Sequence, residues 1–185
     1  MRAGILVLAG AAVLQAADPL AASVTHRLDL IESGRAKPGA VFRFTPAELN
    51  AWVRMKVPTI VHDGFRQPLL ELGNGTAKAS ALIDFVKVRH AEGIETNWLV
   101  AKLIQGEKLV AAEASIQSSN GQATVHIIRV EIGGLAVKGA PLDFLVQNFL
   151  LQFYPDAKID EPFDLAGNVD RIVVTPAAAL VYIRR

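Results

Sequence analysis

Two apolar periods run along this chain. A helical period dominates residues 139–155, GAPLDFLVQNFLLQFYP. There Leu142, Leu145, Val146, Phe149, Leu150 and Phe153 recur at i, i+3, i+4, i+7, i+8 and i+11 as one stripe. Phe144 and Leu151 add apolar surface off the stripe, and only Asp143, Gln147, Asn148 and Gln152 are polar. Pro141 suits the first helical position, and Tyr154-Pro155 ends the helix because the residue before proline avoids helical backbone. A period of two governs residues 76–88, with Ala77, Ala79, Ala81, Ile83 and Phe85 on one face and Thr76, Lys78, Ser80, Leu82 and Asp84 on the other. It returns over 108–117, with Val110, Ala112, Ala114 and Ile116 on one face. Over 122–132, Val125 and Ile127 fall on one face and Ile128, Val130 and Ile132 on the other. Such alternation predicts an antiparallel sheet with one solvated face.

Local signals place the remaining elements. Residues 19–32 predict a helix with Leu20, Val24, Leu28 and Ile31 inward, stopped by Ser33-Gly34. Residues 41–44 are extended. In Phe44-Thr45-Pro46-Ala47-Glu48-Leu49, Thr45 is an N-cap, Glu48 completes a capping box, and Phe44 and Leu49 take the staple positions. That helix is expected to reach about Met55, with irregular chain over 58–68. Leu69 to Leu72 reads as a strand, followed by an Asn74-Gly75 turn. Residues 97–105 read as a helix or a strand, with Gly106 favouring a helix. The stretch 118–121 turns a hairpin and Gly133-Gly134 ends it. Residues 158–165 lead back to the sheet, and 171–174 and 180–183 form a last hairpin. The sum is an α+β domain, a curved long-stranded antiparallel sheet packed on or wrapped around a few helices.

Composition narrows the class. The chain has 185 residues, enough for one domain, and its 51% apolar content marks it as globular. Nineteen basic against 18 acidic residues, with Lys and Arg not clustered, give no footprint for nucleic acid and no signal for a strongly anionic membrane surface. Arg2 followed by an apolar run from Ala3 to Leu14 and small residues at Ala16 and Ala17 has the form of a secretory signal. The expectation is a signal peptide over 1–17, cleaved near Ala16 or Ala17, with an uncleaved anchor as the alternative, and a single domain over 18–185, exported to a bacterial periplasm or cell envelope. Cysteine is absent, which excludes disulfides, thiolate chemistry and thiolate metal sites.

No catalytic motif stands out. His26, His62, His90 and His126 lack metal-ligand spacing, and no serine lies in a Gly-x-Ser-x-Gly elbow. Asp160 and Glu161 are chain neighbours, whereas paired acid–base carboxyls oppose one another across a cleft. No cofactor is expected, and Trp52 and Trp98 read as core or interface anchors. What remains is apolarity. An alanine-lined sheet face opposite an apolar helix either packs closely or leaves space for a ligand.

The leading helix, FTPAELNAWV, the hairpin KLVAAEASIQSSNGQATVHIIRVEIGG, the PLDFLVQNFLL helix and the closing DRIVVTPAAALVYI hairpin resemble tubular lipid-binding (TULIP-like) envelope proteins over residues 41–183. The resemblance implies a curved sheet around a long helix, with lipid held between them and no catalysis. The lining would then come from Ala79, Ala81, Ile83, Phe85, Leu145, Phe149 and Phe153. The partner would be a lipid or hydrophobic small molecule. The alternative is a structural or interaction protein with a filled core, docking onto an envelope protein.

Overall fold

The computed structural model describes residues 18–60, 64–85, 87, 106–146 and 158–185. The 1–17 segment, the 89–95 loop, the 97–105 segment with Trp98, and the helix stripe beyond Val146 lie outside the described residues. The fold is α+β, with three helices and nine strands among the described residues. The helices are α1 (Pro19–Glu32), α2 (Pro46–Ile60) and α3 (Ala140–Leu145). The strands are β1 (Val41–Phe44), β2 (Phe65–Leu72), β3 (Thr76–Asp84), β4 (Glu107–Ser119), β5 (Gln122–Ile132), β6 (Leu135–Val137), β7 (Phe163–Asp164), β8 (Val169–Thr175) and β9 (Ala178–Ile183). They form two antiparallel sheets rather than one: β1-β9-β8, and β2-β3-β4-β5-β6 with β7 on β5.

The small sheet and the first two helices make one core. Asp18 caps α1 by accepting from the Leu20 N–H at 2.9 Å, and Pro19 follows at the first turn. The capping box of α2 forms as its residues dictate. Thr45 Oγ1 accepts from the Glu48 N–H at 3.3 Å, and Glu48 Oε2 accepts from the Thr45 N–H at 2.8 Å. Arg27 of α1 donates to the second Glu48 oxygen at 2.6 Å, tying the helices together. Burial alone would push the Glu48 carboxyl up. The hydrogen bonds from Thr45 and the Arg27 charge outweigh it, and the group titrates below its ordinary 4.5. Val24, Ile31, Phe44, Val169, Val181 and Ile183 are buried between the helices and the sheet, with Leu28, Leu49 and Trp52 packed against them. Gly167 sits under the end of α1 at φ +60, where a Cβ would meet the Ile31 carbonyl oxygen at 2.2 Å.

Two side chains stand in for strand backbone where this core meets the large sheet. Buried Asn50 of α2 accepts from the Leu70 N–H at 2.8 Å and donates to the Leu70 carbonyl at 2.7 Å, completing part of the open edge of β2. Ser118 Oγ of β4 does the same for β8, accepting from the Ile172 N–H and donating to its carbonyl, both at 2.7 Å. Gly121 N–H to Asp170 O and Gly75 N–H to Val174 O extend that seam. Pairing both groups of one residue avoids the cost of a stranded buried donor or acceptor.

Several expectations change. Helix α2 continues past Met55 and carries Pro58 inside its last turns. Strand β2 begins at Phe65 rather than Leu69, because a register shift between Arg66 and Leu69, with Gln67 at φ 52, absorbs Pro68 on an edge strand. Strand β3 ends at Asp84 rather than Val88, so Phe85 follows the strand in a helical conformation. The closing hairpin pairs with β1, not with the alternating strands. A register shift between Glu113 and Ala114 leaves Ile128 as an extra residue of β5. Val125, Ile127, Val130 and Ile132 therefore share one face, and Ile128 is 55% exposed.

Candidate functional site

The register of the large sheet sorts its side chains into two faces. One face is apolar and is built of rows across the strands. Leu72, Ala77, Ala114 and Ile127 lie in one row, and Leu70, Ala79, Ala112 and Val130 in the next. Ala81, Val110, Ile132 and Leu135 make a third row, and Phe65 and Ile83 a fourth, where the apolar face ends at Lys108. The face is closed at one end. Ile83, Phe85, Val130, Ile132 and Val137 are buried together, with Phe65, Ala81, Val110, Ala112, Ile127 and Leu142 packed against them. At the other end the centre is four alanines, Ala77 and Ala79 on β3 opposite Ala114 and Ala112 on β4. Ala79 is exposed and the other three are half-buried. Alanine here supplies apolar floor with little side-chain volume.

The predicted lining residues divide along that line. Ala81, Ile83 and Phe85 come together, in or against the closed cluster, where Phe85 is 2% and Ile83 8% exposed. Ala79 lies one row away and is exposed. Leu145 ends α3, whose Leu142 reaches the closed cluster. Phe149 and Phe153 lie outside the described residues.

The opposite face is a polar strip that sequence reasoning missed. Glu71, Lys78, Glu113 and Arg129 alternate in sign along one row across four strands. Lys78 reaches Glu71 at 3.8 Å, and Arg129 pairs with Glu131. Lys78, Glu113, Arg129 and Glu131 surround buried Ala111 as a shallow dish of about 110 Å³. One row further, Ser115 stands opposite His126, whose Nδ1 lies 2.7 Å from Asp160 Oδ1. Asp160 is held at φ 63, and its N–H donates to the Val125 carbonyl at 2.9 Å. A serine position thus stands across from an imidazole that meets a carboxylate. They stand on the open face of a sheet, with the His126 and Asp160 side chains 42% and 65% exposed, whereas acyl transfer draws on a water-excluding site with donors aimed at the oxyanion. The alternation of Lys78, Glu113, Arg129 and Glu131 with apolar neighbours was visible in the sequence. Their adjacency needed the strand register and the Ile128 bulge.

Among the described residues no three His, Asp or Glu side chains converge as a metal site. None of the described helices is long and apolar enough to cross a membrane. Comparison of the chain with protein-family models, with curated proteins and with solved structures finds no match.

Proposed function

We propose that this protein is a non-catalytic binding module for a lipid or another hydrophobic ligand, exported by residues 1–17 to the periplasm or envelope of a bacterium. The ligand lies on the alanine floor of Ala77, Ala79, Ala112 and Ala114, between Leu70 and Leu72 on one side and Ile127 on the other. The observation that carries the reading is the exposed Ala79 at the centre of an otherwise apolar face. Ligand sites are concave, mostly apolar and polar only at a few points. The closed cluster around Phe85 then acts as the end wall, which limits how far an acyl chain penetrates. Export fits the unbroken apolar run after Arg2 and the lack of cysteine.

A second reading has its own support. The filled cluster of Ile83, Phe85, Val130, Ile132 and Val137 is what a structural or interaction protein would use as a plain core. Native mass spectrometry with lipid extraction, on protein exported by its own N-terminal segment, separates the two. Stoichiometric lipid on the chain is the expected result. A bare mass over repeated preparations overturns the ligand reading in favour of the interaction protein.

A further inference from the structure

The small sheet has an outer face opposite the one on which the described helices α1 and α2 pack. Register places two rows there: Val41, Tyr182 and Arg171, then Arg43, Leu180 and Val173. Val41 is 51% exposed, Arg43 and Arg171 are exposed, and Leu180, Val173 and Tyr182 are half-buried. Arg171 lies over the Tyr182 ring at 4.1 Å and bonds Asp170 at 2.8 Å.

Charge collects at this end of the molecule although it does not collect along the sequence. Residues 35–44 and 169–185 hold Arg35, Lys37, Arg43, Arg171, Arg184 and Arg185 against one acid, Asp170. All six cations are exposed. That leaves 13 of the 19 basic and 17 of the 18 acidic residues for the rest of the chain. Backbone bonds bring the two segments together. The Gly39 N–H donates to Arg184 O and the Ile183 N–H to Ala40 O, both at 2.9 Å. A nearly neutral chain therefore carries a basic end and an acidic remainder.

We infer that this end docks on an anionic lipid surface, with Val41, Leu180 and Val173 against the interface and the six cations toward acidic headgroups. Three strands about 4.8 Å apart, each giving two residues to the face, present an area far below the roughly 800 Å² per partner of a stable protein interface. A bilayer needs no such area, because each basic residue near an anionic surface contributes separately. Nucleic acid is the poorer fit. Among the described residues Tyr182 is the one aromatic on this face, and Arg171 already covers its ring, so it offers no free stacking platform. The inference does not rest on the ligand reading: a chain that extracts no lipid can still dock.

The test is flotation of the full chain with vesicles of phosphatidylcholine, with and without phosphatidylglycerol, at low and high salt. Every arm carries the N-terminal apolar segment, so its contribution is common to all. Binding to the anionic vesicles, weakened by salt, is expected. Arg43→Gln with Arg185→Gln should weaken it by about fivefold for each charge removed. Lys78→Gln with Arg129→Gln, an equal charge change on the large sheet, should leave it within twofold. Should Arg43→Gln lower the melting temperature, Lys37→Gln takes its place. Equal partition onto neutral and anionic vesicles overturns the inference. So does an equal loss for both charge pairs, or tighter binding to a single-stranded oligonucleotide than to the anionic vesicles.

Discussion

The two sheets of this protein treat their apolar faces differently. The inner face of β1-β9-β8 carries Phe42, Phe44, Val169, Val181 and Ile183, and two helices close over it with Val24, Ile31, Leu49 and Trp52. Large side chains from three elements interlock there, and Val24 and Phe44 are lost to solvent entirely or nearly so. Among the described residues, the six-stranded sheet does this at one end. Around Phe85 and Ile132 it is closed, whereas from the next row on β3 and β4 lay down alanine opposite alanine. Side-chain volume rather than hydrophobicity decides the outcome. A face of large residues fills its own space, and a face of methyl groups needs something else to fill it.

The largest effect that sharpens this contrast lies in the closed core. Phe44 is 2% exposed, with the Arg27 guanidinium 4.6 Å from its ring centre. Phe44→Ala should cost about 3–5 kcal/mol, the usual range for a buried phenylalanine. Urea denaturation reads this directly, and a cost under about 1 kcal/mol would mean that the core is looser than described.

A smaller effect separates the regions by pH. The Glu48 carboxyl titrates below 4.5 in the folded protein because Thr45 and Arg27 favour its charged form. Its contribution is complete above 4.5 and is lost as pH falls through the lowered value. Glu48→Gln keeps an oxygen for the Thr45 N–H but removes the charge beside Arg27, and should cost about 1 kcal/mol or less at neutral pH. The gap between variant and parent should close in acid. Urea midpoints across an acid pH series check this, and a gap that stays constant would remove Glu48 as its source.

How much of this was legible in the sequence depends on range. The capping box at Thr45 and Glu48 and the β4–β5 hairpin involve residues close in the chain, and both form where the pattern placed them. Pairing of Val41–Phe44 with β9 spans almost the whole chain, and no local signal distinguishes it from addition to one large sheet. The bulge at Ile128 was hidden for another reason. One extra residue reverses every face assignment beyond it, and nothing in the Ile127-Ile128 pair marks which is extra. For the candidate site, alternation correctly put Ala79, Ala81 and Ile83 on one face. Which end of that face stays open depends on what packs over it, and periodicity carries no information about that.

The smallest expected change in stability gives the most direct test of the account. Ala79→Trp puts an indole on the open floor without entering the closed cluster, so its melting should stay within about 0.5 kcal/mol of the parent. Titration of both proteins with a fluorescent long-chain fatty acid should show saturable binding to the parent and at least about tenfold weaker binding to the variant, a loss of roughly 1.4 kcal/mol. Equal affinity for parent and variant, with both folded, would contradict the claim that the alanine floor is where the ligand lies.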